Sequence, residues 1–196
     1  PDNLEILRHY ANILFLMGDD HEALRSYEEL LKFDPNNIEA IHHRGMILLR
    51  QGNRPAAVCC FREYLVLLPD DAETWRLLLD TLTEMDQPGA VIAAAGEAIQ
   101  SGVEQAFIYL YRGRALLHER QYNEAILDLR RSRTLDDRDP ETHFLLAQAF
   151  AERGRLKHAL LSINRSLQLL PGGRKALMLK ARVCHDLKDH EEEIQA

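Results

Sequence analysis

The sequence of 196 residues lacks any run of about 18 consecutive apolar residues, the length that a membrane-spanning helix needs. We therefore predict no membrane insertion. It also lacks an N-terminal leader in which charged, apolar and small residues follow one another. Because the sequence begins with Pro1 and not Met, we expect it to be a piece of a longer protein, so the missing leader carries little weight.

Cysteine is scarce as well. The three cysteines are Cys59, Cys60 and Cys184, and neither their odd number nor their spacing fits a disulfide framework. This usage favours a reducing compartment, and the cytoplasm is the expected location.

A surplus of basic residues is also missing, since the net charge is −7. The charge is uneven: residues 1–105 hold 18 acids and 8 bases (net −10), and residues 106–196 hold 13 acids and 16 bases (net +3). General nucleic-acid binding requires phosphate neutralisation along a basic surface, so we predict no nucleic-acid partner.

Catalytic signatures are absent. There is no His-Glu-x-x-His for zinc, no Gly-x-x-x-x-Gly-Lys for phosphate and no Gly-x-Ser-x-Gly nucleophile turn. The nine histidines are scattered, and the adjacent pair His42 and His43 would point to different sides of a helix. We expect no metal site, no cofactor and no enzyme activity.

What the sequence does contain is a repeat of 34 residues. When the sequence is read in steps of 34 residues, one position always holds a small or β-branched residue, and a second position often holds proline. The first series is Ala23, Ala57, Val91, Ala125 and Ala159, and the second is Pro35, Pro69, Val103, Asp137 and Pro171. Each repeat carries two amphipathic helical patterns with a turn between them, because apolar residues recur at helical spacing.

This pattern resembles the tetratricopeptide repeat family, which has an aromatic slot, a small slot and a closing proline in each 34-residue unit. The small slot holds Ala11, Gly45, Leu79, Gly113, Ala147 and Ala181. The resemblance implies an all-α, right-handed superhelical solenoid of antiparallel helix pairs, forming a single array. Its repeats are 4–37, 38–71, 72–105, 106–139 and 140–173, with a partial repeat at 174–196.

The register predicts local features. Capping boxes are expected from Asn36 to Glu39 and from Asp70 to Glu73. The turn within each repeat falls at Gly18, Gly52, Asp86, Arg120, Gly154 and Lys188, and a last short helix should begin near His190. Repeat three departs most from the pattern, so we predict a hinge between repeats three and four, with ordinary repeat drift as the alternative.

The resemblance also implies that the first helix of each repeat lines a concave groove. In the C-terminal half this gives an apolar strip flanked by cations, with Gln148 beside it. The residues are Phe107, Leu110, Leu117, Phe144 and Met178, with Arg114, Lys175 and Arg182. Exposed apolar groups beside arginine are typical of interface hot spots. The alternative is that these side chains pack between neighbouring first helices and close the groove.

A secondary groove site consists of Arg8, Asn12, His43 and Arg76, which partly match the carboxylate clamp of chaperone-binding family members. His43 stands where that clamp has Asn, and Asp80 where it has a second cation. A third feature, Gly172–Lys175, precedes a helix and suits either an anion cradle or a plain helix-ending turn.

The sequence thus predicts a non-catalytic scaffold or adaptor that binds a protein or peptide with hydrophobic anchors and acidic flanks. Two alternatives stay open. The charge polarity also suits self-association of copies head to tail, and the array could be the substrate-docking arm of a larger enzyme.

Overall fold

A computed structural model describes the backbone of residues 2–195 and the side chains of residues 3–188. All regular structure in this part of the chain is α-helical, in eleven helices. They are α1 (Asp2–Met17), α2 (Asp20–Phe33), α3 (Ile38–Arg50), α4 (Arg54–Leu67), α5 (Ala72–Glu84), α6 (Pro88–Gln100), α7 (Ala106–His118), α8 (Tyr122–Leu135), α9 (Pro140–Glu152), α10 (Leu156–Leu169) and α11 (Arg174–Gln195). The predicted all-α class is confirmed.

The turns between paired helices lie where the repeat predicts them. Backbone φ is positive at one residue in each of the first five turns. These residues are Gly18, Gly52, Asp86, Arg120 and Gly154. Glycine adopts this left-handed conformation without steric cost, and Asp86 and Arg120 adopt it although they carry a side chain.

The small slot explains how closely the helices of a repeat approach. A Cβ atom at Gly45 of α3 would lie 2.8 Å from the Phe61 ring of α4. A Cβ atom at Gly113 of α7 would lie 2.7 Å from Leu129 Cγ of α8. Phe61 and Leu129 are completely buried, so each large side chain of a second helix fills the space that glycine leaves on the first.

Two predicted helix caps are wrong by one residue. The caps are Asn37 and Asp71, whose side chains accept hydrogen bonds from the amides of Ala40 and Glu73. Neighbouring Asn and Asp residues both suit the role, and sequence alone does not separate them.

The C-terminal helix also differs from the prediction. The expected turn at Lys188 does not form, and α11 runs on as one helix of 22 residues to Gln195. The turn forms without glycine at Asp86 and Arg120, so the difference lies further on. Position 193 is Glu where the equivalent Ala125 and Ala159 are completely buried, and a second helix packed in that register would have to bury a carboxylate.

The chain divides into two compact units, Pro1–Gln87 and Pro88–Ala196, and the boundary falls between α5 and α6 of repeat three. The predicted hinge beside this repeat stays a prediction. In the first unit, Tyr27 and Leu30 of α2 pack with Ala11 and Leu14 of α1 and Ile47 of α3.

The core of the second unit runs from α7 to α11. Its completely buried members come from α8, α9, α10 and α11. They include Ala125, Leu129, Leu146, Ala147, Ala149, Ala159, Ile163 and Val183.

Candidate binding site

The first helices of the second unit lie side by side, since α7 contacts α9 and α9 contacts α11. All nine residues of the predicted C-terminal site lie on these three helices. Each helix contributes one stripe to a shared face because residues three and four apart lie on the same side of a helix.

The apolar part of this predicted site is mostly buried. Phe107 and Leu117 are each only 9% exposed, and Phe107 meets the edge of the Tyr111 ring at 6.5 Å between centroids. Leu110 and Phe144 are half-buried against the core. For Phe107 and Leu117 the structure therefore favours packing between helices, while Met178 is well exposed at 66%.

Both arginines of this face are held by carboxylates of the next or previous repeat. Arg114 Nη2 lies 2.8 Å from Glu141 Oε1, and Arg182 Nη2 lies 2.9 Å from Glu152 Oε1. The Arg114 guanidinium also lies over the Tyr111 ring at 5.1 Å. Its Nε–H is buried and donates to no group in the described part of the chain.

Phe144 and Lys175 meet at a cavity of about 520 Å³ between the start of α9 and the start of α11. Its wall is mainly apolar, with two acids from the start of α9 (Asp139 and Glu141) and two bases from the start of α11 (Arg174 and Lys175). The cavity is lined by Asp139, Pro140, Glu141, Phe144, Ser166, Leu170, Gly172, Gly173, Arg174, Lys175 and Ala176. The remaining polar member of the predicted face, Gln148, is half-buried on α9 and does not line this cavity.

The start of α11 forms the basic side of the cavity. Gly173 precedes the helix, and its carbonyl accepts the first-turn bond from the Leu177 amide at 3.0 Å. Glycine has no side chain with which to cap the helix, and the helix N-terminus carries a partial positive charge. Arg174 and Lys175 are both exposed in this first turn.

Most of the apolar wall was missed by sequence reasoning. The missed residues lie at the start of α9 (Pro140), the end of α10 (Leu170) and the start of α11 (Ala176). None of them was among the residues predicted to face the groove. Apart from Phe144 and Lys175, which were predicted, the local signal of a site here was the pair Gly172 and Gly173 before a basic helix start.

In the secondary site, Asn12 and His43 are joined by a hydrogen-bonded network in the first unit. Asn12 Nδ2 donates to Glu39 Oε1 at 2.8 Å, and the Tyr27 hydroxyl donates to Asn12 Oδ1 at 2.7 Å. His43 Nδ1 lies 2.8 Å from the same hydroxyl. Since the hydroxyl has one proton, the bond to His43 requires the imidazole to donate from Nδ1.

The His43 ring is further held by stacking on Phe15, with 4.3 Å between centroids. Burial lowers the pKa of His43 below its ordinary value, and neighbouring His42 and Arg50 lower it further against the opposing effect of Glu39. The neutral imidazole is therefore the favoured form, which suits a stacked structural role more than a cationic clamp.

The two arginines of the secondary site are more exposed. Arg8 Nη2 lies 3.8 Å from Glu5 Oε1 on the same helix, and Arg76 is exposed on α5. Asn12 and His43 come together through Tyr27, whereas Arg8 has its own carboxylate partner.

The described residues form neither a metal-binding cluster nor a helix that could span a membrane. Within residues 3–188, no three His, Cys, Asp or Glu side chains are grouped so that they would hold a metal ion. None of the described helices combines the length and apolar character that crossing a bilayer requires.

Comparisons with known proteins agree with the repeat. Residues 11–52 match the family model described as TPR repeat, and residues 118–196 match the one described as anaphase-promoting complex, cyclosome, subunit 3. No curated protein matches the chain by sequence.

Solved structures with the same fold include three of distinct origin. YrrB, "a TPR protein with an unusual peptide-binding site", has a TM-score of 0.75 at 18% identity, covering 88% of this chain and 89% of its own. MamA from Desulfovibrio magneticus RS-1 has 0.71 at 20%, covering 88% and 98%. PilW, a type IV pilus biogenesis factor, has 0.65 at 22%, covering 100% and 92%.

The 34-residue period, the matching repeat model and the fold of these structures lead to one assignment. The chain has the fold of tetratricopeptide repeat proteins, and residues 11–52 match the repeat itself.

Proposed function

We propose that this protein is a non-catalytic scaffold that binds a peptide segment of a partner protein on the face formed by α7, α9 and α11. The bound segment places an apolar anchor in the cavity beside Phe144. Its acidic flank meets the basic start of α11.

The observation that carries this proposal is the composition of the cavity wall. Phe144, Leu170 and Ala176 give an apolar surface, and Arg174 and Lys175 stand in the first turn of α11 next to it. The two acids of the lining are already engaged, since Asp139 accepts from the Thr142 amide and Glu141 pairs with Arg114. A concave apolar site with a few convergent polar groups is the usual form of a ligand site. The helix N-terminus adds a further preference for a negative charge.

Arg114 supports the same specificity. Its ion pair with Glu141 is partly exposed, and such pairs contribute at most about 1 kcal/mol. Glu141 also lines the cavity, so a peptide carboxylate at Arg114 would share the guanidinium with it. A carboxylate that also reached the buried Nε–H would satisfy a donor that is otherwise unpaired among the described residues.

A structural neighbour gives independent support. YrrB, which shares this fold, is described as having a peptide-binding site. The fold is therefore compatible with peptide recognition, and the specificity must come from the side chains of this chain.

Binding of a designed peptide tests the proposal. The probe is a fluorescein-labelled Gly/Ser peptide with one central Leu flanked by two Glu residues on each side. We expect the double change Arg174→Glu and Lys175→Glu to weaken binding about tenfold or more, because two attractive charges at the rim become repulsive. Fluorescence anisotropy measures the affinity.

A matched control separates local from overall charge effects. Arg155 and Lys157 are exposed at the start of α10, so Arg155→Glu with Lys157→Glu makes the same change in net charge at another helix start. This control should bind the probe like wild type. Equal losses in both double variants, or no loss in either, would contradict the proposed site.

A peptide series tests the two halves of the specificity. Replacing the central Leu by Ala removes the anchor, and replacing the Glu residues by Gln removes the charge. We expect each peptide to bind more weakly to wild type. Only the Leu-to-Ala peptide should still bind more weakly to the Arg174→Glu, Lys175→Glu variant, because the charge contribution is already lost there.

A further inference from the structure

His143 of α9 and Trp75 of α5 make the same hydrogen bond in two different repeats. The Trp75 indole Nε1–H donates to the Pro69 carbonyl at 2.8 Å. His143 Nε2 lies 3.0 Å from the Asp137 carbonyl. Since a carbonyl only accepts, the His143 ring carries a proton on Nε2. The two rings lie two repeats apart in the sequence, and so do the two carbonyls, so the bonds are equivalent.

This bond requires a ring N–H at one position of the repeat. The same position holds a side chain without such a group in the other repeats, at Leu7, Ile41, Tyr109 and Leu177. His143 and Trp75 are each 3% exposed, so both rings reach the loop before their own helix from the interior. Each bond therefore ties the backbone of that loop to the core.

The loop before α9 depends on such bonds because it lacks the proline found in this slot of three other repeats. Proline fixes φ, whereas Asp137 leaves it free. The Asp137 carboxylate adds two contacts, at 3.3 Å to His143 Nε2 and at 2.8 Å to Arg165 Nη2 of α10. The hydrogen bond from Arg165 holds the pKa of Asp137 below its ordinary value, so the carboxylate is charged at neutral pH.

The loop that His143 holds leads directly into the wall of the peptide cavity. Residues 139–141 follow the loop and line the cavity, and so does Phe144, the neighbour of His143 on α9. Ser166 of α10 fastens the same wall, since its hydroxyl donates to the Pro140 carbonyl at 2.8 Å. The α9 side of the cavity is thus held by side chains that lie behind it.

We propose that His143 is a positioning residue of the peptide site: by holding the loop at Asp137, its ring keeps the wall around Phe144 in the shape that receives the apolar anchor. This inference rests on the proposed function. A wall that is fixed before binding saves the cost of ordering the loop when the peptide arrives. His143 is buried, so it acts through the residues that it holds, and Arg165 assists it from α10.

Replacement of His143 by other aromatic residues tests the role of the ring N–H. His143→Phe keeps an aromatic ring and removes the donor, and we expect it to bind the anchored acidic peptide about fivefold more weakly than wild type. His143→Trp should bind like wild type, because Trp75 shows that an indole makes the same bond in this fold. Circular dichroism checks that both variants are folded at the assay temperature.

Trp75→Phe is the matched control. It removes the equivalent bond in the other compact unit, where no residue of the peptide cavity lies. It should therefore bind the peptide like wild type. A loss equal to that of His143→Phe would indicate a general effect on stability and would overturn the proposal.

The peptide series gives a readout that a general loss of stability would not change selectively. The ratio of affinities for the Leu and Ala peptides measures the contribution of the anchor, and His143→Phe should lower this ratio because the apolar wall is displaced. The ratio for the Glu and Gln peptides should stay the same, since Arg174 and Lys175 belong to the start of α11. An equal fall in both ratios would contradict a role in positioning the wall.

Two exposed ion pairs supply a second test that does not alter the core. Arg165→Gln removes the contact of α10 with Asp137, and Arg131→Gln removes the contact of the equivalent arginine of α8 with Glu104. Exposed pairs contribute little to stability, so both variants should fold. Arg165→Gln should weaken peptide binding about twofold, and Arg131→Gln, with the same change in net charge, should not.

The outcomes separate this inference from the function on which it rests. If Arg174→Glu with Lys175→Glu weakens binding while His143→Phe and Arg165→Gln bind like wild type, the peptide site stands and the role of His143 is wrong. If wild type does not bind the anchored acidic peptide, the proposed function fails and this inference fails with it. Selective loss of the anchor contribution in His143→Phe, restored in His143→Trp, is the result that the proposal predicts.

Discussion

Ala57→Asp is expected to unfold the first unit under conditions in which wild type is fully folded. Ala57 of α4 is completely buried, and its equivalents Ala23, Ala125 and Ala159 are also completely buried. The side chain is completely shut off from solvent, so a carboxylate there would lose its hydration. Burial of an unpaired charge costs about 3–5 kcal/mol, a large part of the stability of a small domain.

Thermal denaturation followed by circular dichroism measures this effect. The control is Ala93→Asp, which makes the same chemical change at an exposed position of α6 and should cost only the difference in helix propensity. A melting temperature of Ala57→Asp equal to that of Ala93→Asp would show that the assigned repeat register is wrong.

Gly113→Ala and Gly96→Ala are expected to change stability in opposite directions, although both replace a glycine inside a helix. At Gly113 the new Cβ would lie 2.7 Å from Leu129 Cγ, and Leu129 is completely buried. Such overpacking costs about 1–3 kcal/mol. At Gly96 the nearest atom is Arg112 Nη1 at 4.0 Å, so alanine fits and should stabilise the helix by about 0.5–1 kcal/mol.

Urea denaturation of the two variants and of wild type measures both changes in the free energy of unfolding, the decrease for Gly113→Ala and the increase for Gly96→Ala. We expect the free energies of unfolding of the two variants to differ by about 2–3 kcal/mol. If Gly113→Ala stabilised the protein as much as Gly96→Ala, the packing of α7 against α8 would not require glycine at position 113.

Much of the fold could be predicted because one 34-residue period gives equivalent environments to residues that lie far apart in the sequence. A single period places Ala57 and Ala159 in equivalent buried positions and places the turns at Gly18 and Gly154. The continuation of α11 past Lys188 could not be predicted in this way. Where neither glycine nor proline marks a boundary, helix length depends on the packing that surrounds it.

The site was harder to predict because exposure depends on neighbouring helices. The groove residues were predicted from their position on a single helix. They include Phe107 and Leu117, which neighbouring helices bury. The cavity wall brings Pro140 and Leu170 together from sequence positions 30 residues apart. Their proximity follows from the stacking of two repeats, which a single-helix pattern does not contain.

The most direct test of the proposed function is hydrogen exchange of the protein with and without the anchored acidic peptide. Bound peptide should slow amide exchange near the starts of α9 and α11, around Phe144 and Lys175. Exchange in α2 and α4 should stay unchanged. Protection confined to the first unit, or protection of α8 and α10 without α9 and α11, would contradict the proposed binding face.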